Sequence, residues 1–439
     1  MISRRTVFAA VSLAAMMAVT APARAEPIEI QWWHAMGGQL GDKVNELAAN
    51  FNKSQSDYKV VPVFKGTYTE TMTGAIAAFR AKQQPDIVQV FEVGTATMMA
   101  AKGAVYPVWK LMADTGEKFD PKAFLGPVYG YYSTTDGKLL SMPFNSSTPV
   151  FYWNKDSFKK AGLDPEKPPK TWPEVGEYAK KLVASGFACG FTSQWQTWIQ
   201  LENFSAWHNL PIATQQNGFG GLDAKLEFNG PTQVRHIQQI ADWGKDKLFV
   251  YGGREGKPDT KFVSGECPMF MASSGSAGGF AKANVNFGIA MLPYYPDVKG
   301  APQNSIIGGA TLWVLSGKPA DHYKGVAKFF TYLSSAAVQA DWHQSTGYVP
   351  ITQAAYELTK KQGFYDKNPG RDVAVLQLMN KEPTVNSKGL RLGSYVQIRD
   401  IEDEELENVW AGKKTAKQAL DDVAKRGDAL LRQFQAANK

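Results

Sequence analysis

The chain has 439 residues, 44% of them apolar and 20% charged. That length exceeds what one core usually supports, and that balance excludes wholesale disorder. The formal charge of +7 is spread along the chain, which argues against a nucleic-acid surface and is compatible with an anionic small ligand.

The first residues read as an export segment. Arg4 and Arg5 precede an apolar run from Val7 to Val19, and Ala23-Arg24-Ala25 fits a small-x-small cleavage site. The run is too short to span a membrane. Cleavage after Ala25 is expected, leaving an exported product of net charge +4 once Arg4, Arg5 and Arg24 are lost. Ser3-Arg4-Arg5-Thr6 is close to a twin-arginine pattern, so the export route stays open.

Ile28 to Trp32 alternates and predicts a first strand, followed by a turn at His34 to Gly38. Leu40, Val44, Leu47 and Phe51 recur at helical spacing. Tyr58 to Phe64 reads as a second strand and Tyr68 to Lys82 as a helix. Asp86 to Phe91 follows as a buried strand, and Thr95 to Lys102 as a short helix closed by Gly103. This alternation is the pattern of a parallel sheet covered on both faces.

Leu139 to Lys155, LLSMPFNSSTPVFYWNK, sets the polar group Asn145-Ser146-Ser147-Thr148 between apolar segments. It predicts two strands joined by a polar crossing from one lobe to another, with a ligand lying against it. A short helix ends near Gly162, and Thr171 reads as an N-cap. Pro231 opens a helix with Val234, Ile237 and Ile240 as its stripe.

A strand through Met271 feeds the small-residue loop Ala272-Ser273-Ser274-Gly275-Ser276, which resembles an anion or hydroxyl site. Phe287 to Pro293 reads as a strand. Gly308 and Gly309 let backbone approach a ligand or form a second crossing. Helices follow at Lys324 to Leu333 and Ala336 to His343, and Thr346 to Pro350 is a turn that aims Tyr348. The tail predicts helices at Glu402 to Trp410 and Ala416 to Ala437.

Two cysteines, Cys189 and Cys267, are too few for a framework of bridges or a cysteine zinc site. A disulfide and two buried thiols are both open. No G-x-S-x-G, H-E-x-x-H or G-x-x-x-x-G-K-[ST] run occurs, and the five histidines show no metal-ligand spacing. No metal or cofactor is expected, and an exported binding protein is favoured over an enzyme.

Pro143 to Pro149, Ile199 to Ser205, Ala301 to Asn304, Ile306 to Ala310 and Lys388 to Leu392 carry a resemblance over essentially the whole mature chain. The sequence resembles the periplasmic glycerol-3-phosphate-binding proteins, a branch of the maltose-binding-like solute-binding proteins that feed ABC importers. The resemblance implies an α/β, two-lobe periplasmic binding protein fold with a ligand cleft and crossing hinge segments. Its lobes would be 26–145 with 309–345, and 146–308 with 346–439. It implies a monomer in the periplasm whose partners are a small-molecule ligand and the membrane permease.

The family's ligand-binding positions fall here on Tyr68 of Gly66-Thr67-Tyr68, on Glu92, on Ser147, and on Trp195 of the Trp-x-x-Trp run. They continue with Ser273 or Ser274, Ser273 being favoured, then Gly309, Tyr348 and Arg399. In chemical terms, Arg399 can hold two phosphate oxygens bidentately, with serine hydroxyls and backbone N–H groups taking others. Glu92 would face glycerol hydroxyls or a cationic head group such as choline, and Trp195 would cover the C–H side or give a cation–π face. Tyr68 and Tyr348 would hydrogen-bond to the ligand and cover it.

Each residue has a plainer reading: a surface ion pair of Arg399 with Asp400 or Glu402, a helix N-terminal acid at Glu92, core aromatics, and ordinary loop residues. The expected function is capture of sn-glycerol-3-phosphate or a glycerophosphodiester for an ABC permease. The alternatives are a neutral-oligosaccharide binder and an exported phosphodiesterase.

Overall fold

The computed structural model describes residues 26–438. The export segment expected over residues 1–25 lies outside the described residues. Among the described residues no helix is long and apolar enough to cross a membrane.

The strands form two sheets. β1 (Ile28–His34), β2 (Tyr58–Phe64), β3 (Ile87–Phe91), β4 (Met142–Ser147) and β9 (Gly308–Val314) make a sheet of order β2-β1-β3-β9-β4. β5 (Pro149–Asn154), β6 (Phe191–Ser193), β7 (Met269–Ser273) and β8 (Phe287–Ala290) make another, of order β6-β7-β5-β8.

β1 runs parallel to both β2 and β3, as the alternation of strands and helices predicts. The all-parallel expectation fails at β9, which lies antiparallel to β3 and to β4. Local patterning could not expose this, because β9 reaches the sheet from far along the chain. Trp32 on β1 anchors this half of the core. Fully buried, it meets Phe144 edge-on at 5.1 Å and Phe329 at 5.5 Å.

Only Thr148 separates β4 from β5, so the chain steps from one sheet to the other within a single residue. The polar group was expected to join two strands. Instead Asn145, Ser146 and Ser147 are themselves strand, paired with Ala310, Gly309 and Gly308 of β9. The chain returns to the first sheet between β8 and β9, the second crossing expected near Gly308.

Cys189 and Cys267 form a disulfide with Cα atoms 4.9 Å apart, which ties the start of β6 to the start of β7. Caps hold as read: Thr171 makes a full capping box with Glu174, and Pro231 opens the helix Pro231–Lys245. The tail helix Ala416–Ala437 packs on the helix Tyr395–Trp410. The latter starts seven residues before the expected Glu402, so Arg399 is a helical residue.

Candidate functional site

Between the sheets lies a cleft with a cavity of about 450 Å³, within the range of small-molecule sites. Tyr68, Glu92, Ser147, Trp195, Ser273, Gly309, Tyr348 and Arg399 all line it. Ser274 does not. Its neighbour Ser273 ends β7 facing the cleft, and Ser274 turns away into a separate small cavity. Of the two serines, Ser273 thus lies on the cleft and Ser274 outside its lining.

A hydrogen-bond chain fixes the polar floor. The Ala35 amide donates to Gln89 Oε1 at 2.8 Å, Gln89 Nε2 donates to Asn145 Oδ1 at 2.8 Å, and Asn145 Nδ2 donates to the Tyr68 hydroxyl at 2.9 Å. Tyr68 accepts from Asn145, and its own hydroxyl pairs with that of Tyr348. Tyr348 stands beside it, and burial pushes both phenols above their ordinary range. The Tyr348 ring packs against Gly275, where an added Cβ would lie 2.7 Å from the ring. Gly309 has φ +87°, and a Cβ there would collide with the Asn145 carbonyl, so only glycine fits. Ser273 Oγ accepts from the Gly275 amide at 3.1 Å, which leaves its proton free to donate.

Trp195 takes the left-handed region with φ +37°, a strained conformation for tryptophan. Its ring lies 6.4 Å from that of Tyr68, which stacks on Phe91 at 5.3 Å. Directly after it, residues Trp198–Asn203 form a π-helical turn, a rare geometry that recurs at functional sites. The turn carries Glu202, 1% exposed, under the cleft.

Arg399 lies between two carboxylates. Nε and Nη2 donate to the two oxygens of Glu202 at 2.7 Å each, and Nη2 also donates to Glu92 at 2.6 Å. Burial works against the guanidinium charge, yet Glu202 and Glu92 hold its pKa well above the ordinary value. Burial raises Glu92, with Arg399 opposing. The bidentate phosphate grip expected of Arg399 is thus not available on this edge, because Glu202 occupies it. The surface pairing with Asp400 or Glu402 does not form either. Glu402 is buried, accepts from Tyr395 at 2.9 Å, and is pushed well up by desolvation with Glu202 adding to the shift.

Several residues passed over in the sequence belong here. Glu202 sits between Leu201 and Asn203 inside a run that carries the resemblance, with no local signal of its own, whereas Asn145 is already part of the polar crossing. Gln194 and Glu255, on loops, and Asp259, which opens the helix Asp259–Val263, also line the cleft. Asp259 accepts from Gln194 Nε2, and burial raises it to about 6. Among the described residues no group of three or more His, Cys, Asp or Glu is placed to hold a metal ion.

The family model for "bacterial extracellular solute-binding protein" matches residues 46–372. The sn-glycerol-3-phosphate-binding periplasmic protein UgpB of Pectobacterium atrosepticum is 55% identical over 437 residues, 99% of this chain and 97% of that protein. The protein of the same name from Yersinia enterocolitica is 56% identical over 413 residues, 94% of each. Among solved structures, UgpB of Mycobacterium tuberculosis in complex with glycerophosphocholine aligns with TM-score 0.75 at 22% identity, over 94% of this chain and all of that one. Maltose-bound MalE3 of T. maritima aligns with TM-score 0.75 at 18% identity, over 93% of this chain and all of that one. At such identities these two speak for the fold, which is the two-lobe α/β fold of the maltose-binding-like proteins. The chain belongs to the bacterial extracellular solute-binding proteins.

Proposed function

We propose that this chain is the periplasmic capture component of an ABC importer, binding sn-glycerol-3-phosphate and glycerophosphodiesters such as glycerophosphocholine without turning them over. The observation that carries the reading is the convergence of the eight cleft residues in a chain 55% identical, end to end, to curated glycerol-3-phosphate-binding proteins. Export with cleavage after Ala25, a monomeric state and handover to a membrane permease belong to the same proposal. So do lobes of 26–145 with 309–345 and of 146–308 with 346–439, closing about the crossings to exclude water.

The chemistry divides the cleft into two ends. Arg399, already neutralised by Glu92 and Glu202, suits a glycerol diol. Glu92 accepts from a hydroxyl, and Nη1, which has no partner among the described residues, donates to one. The phosphate suits the other end, where Tyr68, Ser147, Ser273, Tyr348 and the Gly309 backbone supply neutral donors. Oriented neutral donors hold an anion without a counter-charge. Trp195 covers the C–H face or a quaternary ammonium.

Calorimetric titration of ligand-stripped protein with glycerol-3-phosphate, glycerophosphocholine and maltose tests this. Binding of a phosphate ligand is expected, weakened roughly 100-fold or more in Arg399→Ala, where the carboxylates lose their cation. Maltose binding with no response to either phosphate compound would overturn the ligand class and leave the family intact.

A further inference from the structure

We propose that a second, separate site in this protein binds a small monovalent inorganic anion, chloride under ordinary conditions, between Arg371 and Ser274. The site is the cavity into which Ser274 turns, lined by Val150, Ala277, Ile289 and Ala374 together with Ser274, Arg371 and the two glycines Gly347 and Gly370. Its open space of about 10 Å³ admits no more than one small occupant.

Two polar atoms in this wall have no hydrogen-bond partner among the described residues. Ser274 is 5% exposed, and its Oγ makes no hydrogen bond. Arg371 Nη1 is buried and equally without an acceptor. Among the described residues the Arg371 side chain forms no ion pair, and no carboxylate lines the cavity.

An unpaired buried donor costs free energy, and an unpaired cation costs more. Arg371 is half-buried, and a water molecule would satisfy the two donors but place no counter-charge against the guanidinium on this side. An anion answers both. The other polar group close by, the Tyr152 hydroxyl, is committed to the carbonyls of Ser273 and Ser274 at 3.0 and 3.1 Å. Desolvation lowers the Arg371 pKa, as expected of a cation lacking a partner. A phosphate ester is too large for this space, so the site is distinct from the cleft.

Its position gives the ion a consequence. Ser274 follows Ser273 of the cleft, and Gly347 precedes Tyr348, so the occupant ties together the two loops that present those side chains. Occupancy should therefore steady the phosphate end of the cleft.

The direct test is a crystal of the wild-type protein grown with sodium bromide, with data collected at the bromine edge. An anomalous peak in contact with Arg371 Nη1 and Ser274 Oγ is expected; density there with no anomalous signal, a water, overturns the proposal. In solution, replacing sodium gluconate by sodium chloride at equal ionic strength is expected to raise the melting temperature by roughly 1–3 °C. Ser274→Ala, which keeps the charge and removes one donor, should weaken the chloride response roughly 5- to 10-fold in half-saturating concentration. Arg371→Met should abolish the response. Equal melting temperatures in the two salts for wild type, or an unchanged response in Arg371→Met, would count against the site.

Discussion

Arg399 reaches the cleft with its charge already answered, and the energetic weight of that arrangement rests on Glu202. Glu202 is 1% exposed and holds the guanidinium bidentately. Removing one member of a buried pair leaves the other unpaired, at a cost of about 3–5 kcal/mol, whereas removing both is often mild. Arg399→Met, which strands both Glu202 and Glu92, is expected to destabilise by that order, and Glu202→Leu by less, because Arg399 keeps Glu92 at 2.6 Å. The double variant should be more stable than the sum of the two losses by about 2 kcal/mol. Urea denaturation of the four proteins reads the coupling, and simple additivity would refute it. The resemblance brought Arg399 and Glu92 to the site by position, and their contact went unread. Their sequence separation of 307 leaves no periodic trace, and Glu202, flanked by Leu201 and Asn203, has no local feature that marks it.

At the scale of elements, what the sequence made legible was whatever local chemistry decides. β1 to β3, the capping box at Thr171 and the helix opened by Pro231 follow from alternation, side-chain oxygens and a missing N–H. Asn145-Ser146-Ser147 defied its polarity because Gln89, Tyr68 and β9 satisfy it. Strand propensity measures such surroundings rather than the residue. The helix Tyr395–Trp410 began early for a similar reason. Tyr395, Val396 and Ile398 look like strand, yet they bury one face against the body of the protein. The bridge between Cys189 and Cys267 was undecidable from two cysteines alone, and it closes a loop of sequence separation 78. Constraining that loop in the unfolded chain is worth about 4 kcal/mol in the loop-entropy model. The Cys189→Ser/Cys267→Ser double variant is expected to lose about 2–4 kcal/mol in guanidinium denaturation. Since both positions lie outside the cleft lining, ligand affinity should stay near wild type. Loss of affinity with stability intact would contradict this.

Across the whole molecule, the interior is built for neutral histidines. Burial lowers His34, His208 and His343 to about 4 each, and carries His236 well below its ordinary value. His208 shows why. Its Nε2 accepts from the Tyr295 amide at 2.9 Å, so Nδ1 carries the proton and donates to the Phe204 carbonyl at 2.8 Å. A second proton would cost the first bond and bring a charge among Phe204, Tyr295 and the cation Arg235, which outweighs the Phe204 carbonyl and Asp297 that favour it. The folded pKa lies below the unfolded value of about 6.5, so below that pH the unfolded chain takes up protons that the native state refuses. Stability is therefore full above pH 6.5 and falls toward pH 4, by about 2 kcal/mol per such histidine at pH 5. Asp259 and Asp403, raised by burial to about 6, act in the opposite sense. Their contribution grows as pH falls through 6, which offsets part of the loss. Glu92 and Glu402, likewise raised by burial, act with the aspartates, and the histidines' share is read in the gap between the melting temperatures at pH 7 and pH 5. His208→Gln, which cannot titrate, should narrow that gap whatever it does to the absolute value. A gap as wide in the variant as in wild type would mean that His208 is not one of the groups that set the acid limit.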